Sequence, residues 1–159
     1  ECWEVIFVDK PMDYGDHTGY RTRLEPGLCP SDTGFSENTF QDIFGKNGFI
    51  HIEHSLVSDT GRTAEINANL VAGNTRGAVS KVDLGAISEE NKTGINYGRL
   101  GWSFDYISSN NDRRYDIFFT DNYRNFAILG VQERSFDLQI MKRVINIFAS
   151  DLQEIYDLG

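Results

Sequence analysis

Tyr115-Asp116-Ile117-Phe118-Phe119-Thr120-Asp121-Asn122-Tyr123-Arg124-Asn125-Phe126-Ala127-Ile128-Leu129 is two apolar runs separated by a polar corner. In the first run Tyr115, Ile117 and Phe119 alternate with Asp116 and Phe118, which is the period of a strand. The run after Tyr123 reads as a second strand. Asp121, at the corner, suits capping of backbone amides better than acid–base chemistry.

The same period recurs on both sides of this stretch. Trp102, Phe104 and Tyr106 alternate with Ser103 and Asp105, and Ser108-Ser109-Asn110-Asn111-Asp112 marks the turn that follows. Ala78, Ser80, Val82 and Leu84 show a weaker alternation. Ala64, Ile66, Ala68 and Leu70 oppose Glu65, Asn67 and Asn69 in the cleanest alternation of the chain, and Ile50, Ile52, His54 and Leu56 oppose His51, Glu53 and Ser55. Trp3 to Val8 predicts a first strand that stops at Asp9-Lys10-Pro11, since Pro cannot donate to a ladder. Residues 11 to 47 read as a long Gly-, Pro- and Asp-rich loop, with a short strand near Tyr20 to Leu24 left open. Toward the C-terminus, Phe136, Leu138 and Ile140 alternate with Asp137, Gln139 and Met141, which predicts a last strand. Ser150-Asp151-Leu152-Gln153 is a capping-box pattern, and Leu152, Ile155, Tyr156 and Leu158 share the face of one terminal helix.

Regular, alternating strands joined by turns predict an all-β fold. We expect an eight-stranded antiparallel up-and-down β-barrel, with one C-terminal α-helix packed outside and residues 1–159 forming a single domain. Closure into a barrel removes exposed sheet edges.

Composition limits the partners. The 15 basic and 24 acidic residues leave a formal charge of −9, which repels nucleic acid and anionic membrane surfaces. No window reaches the roughly 18 apolar residues of a membrane span. Because the chain lacks an initiating Met and a cationic, apolar leader, it reads as a mature, secreted form. Cys2 and Cys29 are its two cysteines, paired in one disulfide or left as thiols, with the disulfide the expectation for a secreted chain. Asn91-Lys92-Thr93 is an N-glycosylation sequon in a polar loop.

A barrel that closes needs a plug at one end, and a Trp from the first strand under an Arg from the last would supply one. Trp3, Thr120-Asp121-Asn122-Tyr123 and Arg143 have the order and spacing for it. In this the chain resembles the lipocalin family, whose motifs are Gly-x-Trp, Thr-Asp-Tyr and an Arg closing the last strand. The match departs in two places: the Gly position falls at or before Glu1, and the corner is one residue longer. Arg134 is the rival to Arg143 but leaves no room for a last strand. The resemblance implies a carrier with a lidded mouth and an interior that takes a small apolar ligand: a retinoid, carotenoid, fatty acid or tetrapyrrole.

The inward-facing candidates are Ile50, Ile52, His54 and Leu56, then Ala64, Ile66 and Ala68, then Trp102, Phe104, Tyr106, Tyr115, Ile117 and Phe119. The aromatics suit a flat, conjugated ligand, and the small residues Ala64, Ala68, Ala78 and Ser80 favour a hollow interior over a filled one. His54 alone of the three histidines falls on that face, where it would contact ligand, ligate a haem iron or be satisfied by a neighbouring strand. His51-Ile52-Glu53-His54 is rejected as a metal site, because on a strand His51 and Glu53 project opposite to His54. No nucleophile elbow, phosphate-binding Gly loop or Cys-x-x-Cys is present. The expected function is therefore ligand carriage without catalysis. A lipocalin-like enzyme or haem protein and a filled-barrel interaction module are the alternatives, and homo-oligomerisation stays open.

Overall fold

The computed structural model describes residues 3–26, 39–56, 63–75, 78–84, 100–120 and 124–158. Strands β1 (Trp3–Asp13), β2 (Thr18–Pro26) and β3 (Phe49–Leu56) come first, with helix α1 (Thr39–Phe44) between the last two. Helix α2 (Ala64–Thr75) follows, then strands β4 (Ser80–Asp83), β5 (Leu100–Ile107), β6 (Arg113–Thr120) and β7 (Arg124–Gln132), and finally helix α3 (Leu138–Leu158). The strands form one antiparallel seven-stranded sheet in the order β1-β2-β3-β7-β6-β5-β4. β1 and β4 are its edges, so the sheet is open.

The mostly-β expectation, with an antiparallel sheet and a C-terminal helix, matches this architecture; the closed eight-stranded barrel does not. Two segments expected as strands are helical. Ala64, Ala68 and Ala72 are buried at a spacing of four, as one stripe of α2, while Ile66 and Leu70 are exposed. Thr63 opens the helix, accepting from the Ile66 amide through Oγ1 (3.4 Å) and from the Asn67 amide through its carbonyl (3.0 Å). Leu138 to Met141 begins α3, capped by Asp137, whose Oδ1 accepts from the Gln139 amide at 2.9 Å. The helix thus starts about three turns before the Ser150 capping-box pattern. Ser150 itself lies mid-helix, is 3% exposed, and donates to the Leu84 carbonyl at 3.1 Å.

The N-terminal strand runs past Pro11 to Asp13. It is an edge strand, where a missing N–H costs no ladder bond, and irregular pairing between Val5 and Lys10 absorbs Asp9 at φ 49°. The stretch from 11 to 47, read as loop with a short strand near Tyr20 to Leu24 left open, holds β2 over that region and also α1. Gly45 (φ 84°) ends α1, and a Cβ there would collide with the Glu133 carboxylate.

Helices α2 and α3 lie on opposite faces, because neighbouring residues of one strand serve each. Tyr115, Ile117 and Phe119 belong to the core that holds Met141, Ile145 and Ala149 of α3. Phe118 packs with Phe104 against the Ala64, Ala68 and Ala72 stripe of α2. On the α3 face Gly130 lets the helix come close: a Cβ would lie 3.0 Å from Ile145 and 3.2 Å from Met141 Sδ. Polar pairs fix the helix further, with Tyr115 Oη donating to Asn146 Oδ1 (2.6 Å) and Lys142 Nζ 2.6 Å from Asp105 Oδ2. Among the described residues no helix is long and apolar enough to cross a membrane.

Candidate functional site

Among the described residues α2 packs chiefly on β5 and β6, reaches Ala127 of β7, and leaves the part of that face formed by β2, β3 and the rest of β7 less covered. Two neighbouring rows of side chains, set by the strand register, floor the gap. One runs Arg21, Glu53, Ala127, Phe118 and Trp102; the other runs Arg23, His51, Leu129, Asp116 and Phe104. Ala127 is the small residue in the middle, and a groove of about 500 Å³ opens over it. Asn67 and Val71 of α2 form one wall, and Tyr14, Asp16 and His17 of the β1–β2 turn form another.

That turn is held locally. The Tyr14 amide donates to the His17 carbonyl (3.0 Å), Gly15 takes φ 89°, and its amide is accepted by Asp13 Oδ1 at 2.8 Å. The Tyr14 and His17 rings stack at 4.9 Å, and His17 Nδ1 lies 2.7 Å from Asp16 Oδ1. Tyr14 Oη donates to Glu53 Oε1 at 2.5 Å, and Arg21 Nε donates to Glu53 Oε2 at 3.1 Å. Gly19 makes room for this group, since a Cβ there would strike the Glu53 carboxylate. Burial, with the bond to Glu53 second, pushes the Tyr14 phenol up to about 12.

His51 accepts from Arg23 Nη1 at 3.2 Å. Burial and then the charges of Arg21, Arg23 and Arg114 bring its pKa down to about 4, so the ring is neutral at pH 7. Asp116 is 7% exposed and borders the groove, and no donor among the described residues hydrogen-bonds its carboxyl. Burial raises its pKa to about 7 against the opposing charge of Arg114, while Glu53 adds to the rise. Burial also raises the Tyr106 phenol, helped by the Asp116 charge.

Of the expected ligand-contacting residues, His54 and Tyr106 border the groove. Ile50, Tyr115, Ile117 and Phe119 are core residues beneath α3, with Ile52 packed against them. Ala64, Ala68 and Phe104 form the α2 contact, with Trp102 against it. Leu56 (45%) and Ile66 (48%) are exposed, so the thirteen residues share no common interior. His54 Nε2 lies 3.1 Å from Asp9 Oδ1, and its ring stacks on Tyr20 at 5.4 Å.

The expected plug has a different geometry. Arg143 is an exposed residue of α3 and does not close a last strand, because that segment is helical. Trp3 starts β1. Thr120 ends β6, donating to Asn125 Oδ1 (2.9 Å) and accepting the Ala64 amide (3.1 Å), which seats the start of α2. Asp121, Tyr123, Asn91, Cys2 and Cys29 lie outside the described residues.

The sequence reading missed Tyr14, Arg21, His51, Glu53 and Asp116 as site residues. Asp116 carried a usable signal: a single carboxyl sharing its strand face with Phe118 says that this face, too, is partly covered. Among the described residues no group of three or more His, Cys, Asp or Glu is placed to hold a metal ion. Comparison with known proteins yields no matching family model, no matching curated protein and no matching solved structure.

Proposed function

We propose that this chain is a carrier of a small, largely apolar molecule with a polar end, held in the groove beside α2. The observation that supports this reading is the groove itself. Its roughly 500 Å³ falls among the sizes usual for small-molecule sites, with an apolar floor of Phe118, Ala127 and Leu129 and a polar rim of Tyr14, Arg21, His51 and Asp116. Removing an apolar body from water at about 25 cal/mol per Å² is ample for micromolar binding. The lipocalin resemblance of Trp3 and Thr120-Asp121-Asn122-Tyr123 supports the same ligand classes and a secreted setting. The proposed site is the open face of a sheet, in place of a barrel interior.

Retinol, whose emission rises in apolar surroundings, tests the reading. It should bind saturably to the protein and lose most of that binding in Val71→Trp. Val71 is 37% exposed on the groove wall, so the added ring projects into the groove volume, and thermal unfolding checks that the variant is folded. Absence of saturable binding, or equal binding by the folded variant, would sink the proposal. A second reading, an enzyme using Asp116 as general acid or base, draws on the carboxyl's pKa of about 7. Turnover of a bound carbonyl compound, lost in Asp116→Asn, would favour it.

A further inference from the structure

We infer that the polar end of the ligand is a protonated amine, seated on the Asp116 carboxylate with the apolar body laid across Phe118, Ala127 and Leu129. This rests on the groove being a ligand site and names the chemistry it selects.

The argument is one of charge pairing. Among the described residues the arginines near the groove each have a carboxylate: Arg21 lies 3.1 Å from Glu53, Arg23 2.9 Å from Glu25, and Arg114 2.9 Å from Asp112. His17 lies 2.7 Å from Asp16, and His51 is neutral at pH 7. Asp116 is left as the buried acid that no described residue hydrogen-bonds, although Arg114, two residues away on β6, acts on it through space. A carboxylate largely removed from water and without donors is costly, so a ligand that brings its own donor and positive charge recovers more there than at a paired site. The aromatic side chains of Phe118 and Tyr106 beside it favour a cation over a second anion. The net charge of −9 draws cationic solutes toward the surface in the same sense.

The charged and titratable groups that act on Asp116 come from three strands: Tyr106 from β5, Arg114 from β6, and Glu53 from β3. Below about pH 7 the empty site holds a proton on Asp116, so amine binding must release it.

The experiment compares three ligands sharing one naphthyl body, ending in an ethylamine, an ethanol or an acetic acid, by calorimetry at about pH 8 and about pH 5. At about pH 8 the amine should bind about tenfold or more tighter than the alcohol, and the acid weakest of the three. At about pH 5 that preference should shrink, with proton release seen as a buffer-dependent heat. Asp116→Asn, which keeps every other charge, should bring amine and alcohol level. If that variant fails to fold, Asp116→Ser provides the same comparison. Alcohol and acid binding as tightly as the amine would overturn the amine assignment while leaving the groove a ligand site. Binding of none of the three would overturn both. An amine preference unchanged in the Asp116 variants would also overturn the assignment, placing the cation elsewhere on an acidic surface.

Discussion

The two faces of the sheet are built from alternate residues of the same strands and end in opposite states. On the α3 face, Met141, Ile145 and Ala149 close over Ile50, Ile117, Phe119 and Ile128, all at most 2% exposed, and the polar side chains there bond across to strand or loop. On the other face, α2 presents three alanines and covers two strands of seven, so the remainder opens as a groove among ionisable groups. A single strand such as β6 therefore stabilises the fold through Tyr115, Ile117 and Phe119 and equips the site through Asp116 and Phe118. Long apolar side chains on a helix can seal a sheet, whereas a stripe of alanines lets the helix lie close but covers little beyond its own width.

The contrast breaks most sharply at Phe119→Ala. This ring is fully buried and stacks on Phe126 at 5.0 Å, so its loss should cost about 3–5 kcal/mol in denaturant unfolding. A cost under about 1 kcal/mol would mean that the α3 face is not the sealed one.

Asp116→Asn should act on the open face with the opposite sign and a pH dependence. The folded-state pKa is raised from 3.8 to about 7, so the folded protein binds the proton more tightly than the unfolded chain. Stability is then highest below about pH 4, falls as pH rises toward about 7, and stays reduced above it. The asparagine variant should gain on the order of a few kcal/mol over the parent at pH 8 and less than about 1 kcal/mol at pH 4. His51, whose pKa drops from 6.5 to about 4, loses stability as pH falls through that window and so offsets Asp116 in the parent. The difference between variant and parent isolates the carboxyl, and a pH-independent difference would show it ionised throughout.

The smallest effect sharpens the contrast from outside it. Ile66→Ser, at a 48% exposed position on α2, should change stability by no more than about 0.5 kcal/mol. A loss of about 2 kcal/mol would put Ile66 in a core, where the strand reading of Ala64 to Leu70 had placed it.

Much of the sheet was legible in the residues themselves. Strands β3, β5 and β6 carry the period of two, β7 reads as an apolar run after the polar corner, and β6 and β7 are paired in register from Arg113 and Gln132 to Thr120 and Asn125. A terminal helix was legible too, though not its start, because Phe136 to Met141 alternates as a strand does. The candidate site was almost wholly hidden. Tyr14 and Arg21 of the β1–β2 hairpin, Glu53 of β3 and Asp116 of β6 lie on three separate stretches of chain, and their meeting depends on which residue of each strand faces which neighbour.

The residues alone specify a mostly-β chain with acidic character, the strands β3, β5 and β6, and a helix toward its end. Local sterics and side-chain burial are written residue by residue, and they need no partner to be read. The tertiary structure alone decided that Ala64, Ile66, Ala68 and Leu70 form a helix, that the sheet stays open, and that Asp116 is buried over a groove. Ala64, Ala68 and Ala72 satisfy a period of four as well as of two, and the surface of Phe104 and Phe118 selects the helix. Once two segments become helices on opposite faces, those faces are covered without closure, and the part that α2 is too narrow to reach becomes the site.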